Sequence, residues 1–397
     1  MEGLEKLVFL LRKLFGPPRL VLLVAAWILL LGAWGSFART YLPIEHRLRW
    51  GVPTELRAPL YAKFDAGWYL SIIEWGYGPS PPPGKPSSHA FFPLYPSVAK
   101  VLRDTFAMDG FHAGLLVTYL CLFLAMARFL EEGRRRLPEA DAWRAVLFFL
   151  LFPASFFLAA MYAEAMFLLF ALLAFRDARS GPTGRAALWG LLAGLTRASA
   201  LTLAPALFLA ALERRAPGTA AAGEDAGGRG KWGRALLLGA IPVATVFLWI
   251  FGMGLLNGEP GLFFRSMEGW RRSSSSLGGI GDWLVSMKVR VVDADWRDDP
   301  TLLLDYGTVG LFAVIGAYQL VRRHWADAAW TGGSIALPMT TGLSGGMPRF
   351  LMVVYPVYFA LAESSRSKPV ARWLWWIVSA VLLLAAAARF VNWHWVA

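Results

Sequence analysis

The 397-residue chain is 57% hydrophobic and only 17% charged, where a soluble domain carries about 25% charged residues. With 19 Trp and 27 Phe, that deficit excludes an ordinary soluble enzyme and points to a multi-pass membrane protein. The net charge of +12 does not signal nucleic acid, because the basic residues cluster between apolar runs (Arg134–Arg136, Arg214–Arg215, Arg322–Arg323), as cytoplasmic loops do, and no basic–aromatic groove accompanies them.

The first predicted span runs from Leu20 to about Arg39. Lys6, Arg12, Lys13 and Arg19 precede it, and the apolar run is too long for a signal-peptide core, so an uncleaved span with a cytoplasmic N-terminus is expected. The polar segment Thr40–Asp109 then falls on the opposite side. Within it, Pro59–Tyr77 spaces large apolar residues helically (Leu60, Tyr61, Phe64, Trp68, Ile72, Trp75) but is too short and polar to span, which suggests an interfacial helix. The proline cluster Pro79–Pro86 breaks it, and Ala90–Arg103 reads as a second interfacial helix.

Span two is His112–Leu130, with the single cysteine, Cys121, as a small apolar side chain inside it. Span three, Trp143–Ala160, contains Pro153 and should kink there. A tight turn at Met161–Glu164 leads to span four, Ala165–Phe175. Ala186–Leu212 either crosses once or forms a re-entrant hairpin with Arg197 near its tip, and the positive-inside bias favours the hairpin. Glu213–Arg234 reads as a Gly/Ala-rich linker, followed by a span at Ala235–Leu256 and a second polar segment, Asn257–Pro300. Leu302–Val321, Ala326–Leu343, Phe350–Ala362 and Trp373–Val391 complete an all-α array of nine or ten transmembrane helices, including the hairpin, in one membrane domain covering residues 1–397.

Few polar groups interrupt this array. Asp65, in FDAGWY, sits beside aromatic residues at the expected interface, where partial desolvation raises a carboxyl pKa and suits a general base; a plain solvated or helix-capping aspartate is the bland alternative. Glu164 lies between two apolar spans, an expensive place for a carboxylate. Tyr162 stands close enough in sequence to hydrogen-bond it or a substrate. Arg197, flanked by apolar runs, needs a partner such as a phosphate or the Glu164 carboxylate, with a side chain snorkelling at a span end as the bland alternative; Arg349, at the outer start of a span, suits a phosphate and equally interfacial anchoring. Trp68, Tyr69 and Tyr95, the last in the FFPLYP stretch, offer rings for a sugar or for the interface. The five histidines, His89 among them, show no metal-ligand spacing. P-loop, GxSxG and HExxH motifs are missing, which removes support for nucleotide-driven chemistry.

The stretches FDAGWYLSIIEWGY (Phe64–Tyr77), AFFPLYP (Ala90–Pro96), FPASFFLAAMYAEAMFLLFALLAF (Phe152–Phe175), GLLAGLTRASALTLAP (Gly190–Pro205) and PRFLMVVYPVYFALA (Pro348–Ala362) together resemble the PIG-V-like mannosyltransferases, the GPI mannosyltransferase 2 type. The resemblance implies a GT-C type glycosyltransferase fold. It also implies inverting transfer of a hexose, mannose first, from a polyprenyl-phosphate donor to a glycolipid, glycan or protein acceptor on the extracytoplasmic face. It puts Asp65 on the family's acidic residue in the first large loop and Glu164 on its Tyr-x-Glu position. Trp68, Tyr69, Tyr95, Tyr162, Arg197 and Arg349 fall to donor or substrate binding. No cofactor is required, though a divalent metal is compatible. Phe64 departs from the tryptophan common before the aspartate, and His89 and the long proline run are particular to this chain. The Ala/Arg/Gly-rich composition favours a prokaryotic plasma membrane over the endoplasmic reticulum. A transporter or flippase of lipid-linked sugars is the competing class. It predicts internal repeats and mid-membrane ionisable groups, whereas the chain has no repeat and its acids gather in loops.

Overall fold

A computed structural model describes residues 2–44, 61–82, 85–213, 228–269, 281, 285, 301–340, 345–394 and 396. Residues 45–60 of the first polar segment, 214–227 of the expected linker and most of 270–300 in the second polar segment lie outside them. The described residues are helical and contain no strand. Five helices are long and apolar enough to cross a membrane: α2 (Pro18–Tyr41), α5 (Gly110–Arg136), α10 (Gly228–Leu256, of which Gly230–Leu256 is the apolar stretch), α12 (Thr301–Val321) and α16 (Pro369–Val391). They match the predicted spans, except that α10 begins inside the expected linker.

The shorter spans are more broken than their hydropathy suggests. Span three is not a kinked helix: α6 (Glu139–Leu150) ends, and a buried turn and 3-10 segment carry the chain to Glu164. Pro153 explains the stop, since it has no N–H and restricts the residue before it. The carbonyl of Leu150, freed at the break, accepts hydrogen bonds from Trp27 Nε1 at 2.9 Å and Ser155 Oγ at 2.6 Å. That is how non-helical backbone is tolerated at membrane depth. The expected span Phe350–Ala362 is likewise divided, into α14 (Met347–Leu351) and α15 (Pro356–Ser364), with Pro356 at the restart.

The chain forms two compact units, one comprising Met1–Gly76, Tyr95–Leu169 and Tyr358–Ala397, the other Tyr77–Leu94 and Phe170–Val357. In the first unit, α1 (Glu2–Phe15), α2, α3 (Asp65–Trp75), α4 (Leu94–Phe106, from Tyr95), α5, α6 and α16 pack together. Its arginines gather at one end of α5 in pairs such as Arg136–Glu132 and Arg128–Glu131, both 2.7 Å. At the other end of α5, Gly110 N–H donates to Glu74 at 2.9 Å, and Arg103 pairs with the same carboxylate at 2.8 Å.

In the second unit, α8 (Thr183–Thr196), a 3-10 turn at Ala198–Thr202 and α9 (Leu203–Leu212) form a helical hairpin. The direction is fixed by side-chain register against α10. Thr183 meets Arg234, and Gly190 and Gly194 meet Ile241 and Thr245, so α8 runs with α10. Ala204 meets Gly239 and Phe208 meets Trp232, so α9 runs back against it. Arg197, with extended φ −159°, is where α8 ends and the hairpin turns. At the open end, Arg179 bridges Glu213 and Asp327 at 3.3 and 2.9 Å, and Arg185 pairs with Asp177 at 2.8 Å. Helix α13 (Trp325–Thr340) packs along α9 and the hairpin turn, and α12 packs on α13 and α14.

Candidate functional site

Both acidic candidates begin a helix. Asp65 is the first residue of α3 and Glu164 the first residue of α7 (Glu164–Ser180), where the unpaired N–H groups of a first turn favour a negative charge. The chain reaches Asp65 through a constrained bend: Phe64 has φ 53°, rarely adopted by a bulky side chain. Its ring is wedged against Phe390 and Trp393, with centroids 5.5 and 5.4 Å away, and this packing offsets a backbone cost of about 1–3 kcal/mol.

Two hydrogen bonds strap the approach to Asp65 onto the approach to Glu164. Met161 N–H donates to the Tyr61 carbonyl at 3.1 Å, and the Tyr162 hydroxyl donates to the Lys63 carbonyl at 2.9 Å. Residues 61–63 and 161–162 are far apart in sequence, so these bonds bring the two acidic motifs into one place in the first unit. The three tyrosines lie there too. Tyr69 makes edge contacts with Tyr95 and Tyr162, at centroid distances of 5.0 and 6.4 Å. Tyr95 donates its hydroxyl to Gly114 O at 2.9 Å and sits 2.9 Å from Thr118 Oγ1, whose own proton points to Tyr162 O at 3.4 Å.

Access divides the candidates. Asp65, Trp68 and Ser71 are half-buried and Trp75 is exposed, so one stripe of α3 at helical spacing stays open. Tyr69, Tyr95, Tyr162 and Glu164 are buried on the protein side. The hydroxyls of Tyr95 and Tyr162 are bonded to protein groups, which gives these two residues a positioning place rather than a substrate-facing one. Trp68, one helical turn from Asp65, is the aromatic candidate with an open surface.

Lys63 went unnoticed in the sequence. It is 2% exposed, and its ammonium lies 4.5 Å from the centre of the Trp393 ring. Burial, with Arg39 as a secondary cause, pushes its pKa down to about 8. The only local signal is a lysine two residues before the aspartate; its burial depends on Trp393, at the far end of the chain.

The cationic candidates both belong to the second unit. Arg197, at the hairpin turn, is 8% exposed and lies over the Phe350 ring, 5.7 Å from its centre. Arg349, next to Phe350 in α14, is 7% exposed. Gly346, with φ 86°, makes the left-handed turn into α14, and Asp305 caps that turn by accepting Met347 N–H at 2.9 Å. The hairpin turn and α14 thus meet at Phe350, with Arg197 over its ring and Arg349 its neighbour in the chain. Among the described residues, no group of three or more His, Cys, Asp or Glu is placed to hold a metal ion.

With this arrangement in view, the comparison with known families bears on one segment. Residues 62–214 match the family model described as Mannosyltransferase (PIG-V). The PIG-V match starts one residue before Lys63 and takes in both acidic motifs, the Pro153 break and the Arg197 hairpin. It leaves out Arg349 and the stretch Pro348–Ala362. No curated protein matches the chain in sequence. Among solved structures, the crystal structure of the Archaeoglobus fulgidus oligosaccharyltransferase, tethered to an acceptor peptide containing the NVT sequon, is a distant likeness. It is 13% identical with a TM-score of 0.41, over 93% of this chain and 55% of that one. The chain therefore spans about half the length of that neighbour.

Proposed function

We propose that this protein is an integral membrane glycosyltransferase that moves a hexose, mannose first, from a polyprenyl-phosphate donor to a hydroxyl of a glycolipid, glycan or protein acceptor. The observation that carries the reading is the PIG-V match over 62–214 together with the strapping of its two acidic motifs into one place.

In this reading Asp65, on the open stripe of α3, takes the proton of the acceptor hydroxyl. The acceptor oxygen attacks the anomeric carbon from the face opposite the phosphate, the carbon–phosphate oxygen bond breaks, and polyprenyl phosphate leaves with the bonding pair. A phosphate monoester is a competent leaving group, so no acid has to protonate it. The aspartate is asked for a rate factor of about 10²–10⁴. Arg197 and Arg349 are assigned to the phosphate charge. Lys63 and Glu164 set the electrostatics behind the base, and Trp68 supplies a ring beside it. Tyr162 ties the two motifs together, and Tyr95 anchors beside them to α5. A GT-C fold and inversion at the anomeric carbon belong to the same reading.

The position of the acids supports catalysis on the extracytoplasmic face. Thr118 of α5 contacts Tyr162, while the arginine-rich end of α5 lies 18 residues further on, a rise of about 27 Å. Arginine-rich ends face the cytoplasm, so the acidic end faces away from it. A prokaryotic plasma membrane is the proposed location. The test is incubation of the purified full chain in nanodiscs with labelled polyprenyl-phosphate mannose and candidate acceptors. Transferred or hydrolysed mannose supports the reading, and binding of the donor without any cleavage favours a transporter.

A further inference from the structure

The last helix of the first unit ends against the acidic site. Helix α16 stops at Val391, with Asn392 as its cap. His394 N–H donates to Arg389 O at 2.9 Å and Trp393 N–H to Phe390 O at 3.1 Å. This pair of bonds is the Schellman closure, whose central residue is usually glycine because it takes left-handed backbone angles. Here that residue is Trp393, at φ 65°. A bulky side chain is costly there, and such strain persists only where the surroundings over-determine it.

The surroundings are the approach to Asp65. The Trp393 ring meets Phe64 edge-on, with centroids 5.4 Å apart, and Phe64 is itself left-handed at φ 53°. The same ring receives the Lys63 ammonium, 4.5 Å from its centre. One turn earlier, Phe390 packs on Phe64 at 5.5 Å and on Phe156 and Phe157 at 5.1 and 5.3 Å, so the end of α16 touches the approaches to both acids. The cap is itself fixed: Asn392 Nδ2 donates to Ala38 O of α2 at 2.9 Å, and His394 Nε2 lies 3.2 Å from Pro43 O. Residues 63 and 64 in turn carry the first turn of α3. The Lys63 carbonyl accepts from Ala66 N–H at 3.2 Å and the Phe64 carbonyl from Gly67 N–H at 2.9 Å. Tyr162 holds this segment by its backbone, at the Lys63 carbonyl, and Trp393 holds it by its two side chains.

We propose that Trp393 is a positioning residue of the acid site: through the Phe64 ring and the Lys63 ammonium it fixes the bend at residues 63–64, and so the placement of the Asp65 carboxylate. For its chemistry this rests on the reading that Asp65 takes the acceptor proton. Trp393 lies far outside the matched segment 62–214, so the family match does not assign it a role. A glycine would close α16 at less backbone cost. What the tryptophan adds at this place is its ring, and the ring is spent on the two residues that precede the base.

The substitutions separate ring from cap. Trp393→Gly keeps the left-handed cap, relieves its backbone and removes the ring; Trp393→Phe keeps a smaller aromatic face for Lys63 and Phe64. The measurements are initial-rate transfer from labelled polyprenyl-phosphate mannose and amide hydrogen exchange, both on the full chain in nanodiscs. The proposal predicts a loss of about tenfold in kcat for folded Trp393→Gly, with donor KM within about twofold, and recovery in Trp393→Phe to within about threefold of the wild type. Exchange in residues 61–69 should rise several-fold in Trp393→Gly, while α11 (Leu262–Glu268) in the second unit stays as it was. Unchanged kcat in folded Trp393→Gly overturns the proposal even where the unfolding midpoint falls, because packing alone would do that. A fall in kcat with exchange at 61–69 unmoved also overturns it, because the ring would then act on substrate directly. Should Trp393→Gly fail to fold, Trp393→Leu, which keeps an apolar side chain on the cap and loses both ring contacts, is held to the same kcat, KM and exchange predictions. The two readings fail differently. A wild type that transfers no polyprenyl-phosphate hexose removes the transferase and leaves the clamp to the exchange measurement; transfer with kcat unmoved in Trp393→Gly removes the clamp and keeps the transferase.

Discussion

Replacing Tyr162 with phenylalanine removes one oxygen and keeps the ring packed against Phe157 and Tyr69. The lost hydroxyl donates to the Lys63 carbonyl at 2.9 Å, on a residue only 2% exposed. A net hydrogen bond contributes about 1 kcal/mol, and a buried acceptor deprived of its donor costs about 1–3 kcal/mol. Asp65 lies two residues further on, so slack in the strap passes to the carboxylate. If about 1.4 kcal/mol of positioning is lost, kcat falls about tenfold, while KM for the lipid donor stays within about twofold because no donor contact is touched. The assay is initial-rate transfer of labelled mannose in nanodiscs, with thermal unfolding as a parallel readout. Unchanged kcat with an unchanged unfolding midpoint refutes the strap. A folded Tyr162→Phe as inactive as an Asp65 variant refutes it differently, because it puts the hydroxyl in the chemistry.

Glu164→Gln is nearly isosteric at the start of α7 and is expected to fold and to lose about tenfold or more in kcat; full activity makes Glu164 a purely structural acid. Arg197→Ala is expected to raise KM for the polyprenyl-phosphate donor about tenfold or more, with Arg197→Lys recovering part of it; unchanged donor affinity in both assigns Arg197 to the hairpin turn alone. Lys63 gives a pH signature. Its pKa drops from 10.5 to about 8 on folding, so the unfolded chain holds this proton more tightly, the penalty is complete below pH 8, and stability rises with pH between about 8 and 10.5. Lys63→Met should therefore have the higher unfolding midpoint at pH 7, and the wild type should close the gap as pH rises past 8. A gap that does not narrow contradicts a desolvated Lys63.

The long apolar helices were legible because their signal is local. α2, α5, α10, α12 and α16 are each 21 or more residues long and largely apolar, so each carries its own signal. The hairpin with Arg197 near its tip was one of two arrangements open in the sequence, favoured by the basic flanks; the register of α8 and α9 against α10 decides for a chain reversal there. The full breaks at Pro153 and Pro356 were less so. Proline predicts a disturbance, but whether the helix bends or stops depends on distant donors such as Trp27, which accommodates the freed Leu150 carbonyl. The same reason hid the inside of the site. The burial of Lys63 depends on Trp393, some 330 residues away in sequence, and the roles of Tyr95 and Tyr162 depend on which carbonyls their hydroxyls meet.

The central claim is that Asp65 takes the acceptor proton. The most direct measurement compares wild type with Asp65→Asn in nanodiscs, following both transfer from labelled polyprenyl-phosphate mannose and equilibrium binding of that donor. The account predicts that Asp65→Asn keeps its unfolding midpoint and donor affinity while transfer falls by about 10²-fold or more. Transfer at the wild-type rate in the folded Asp65→Asn protein would contradict it.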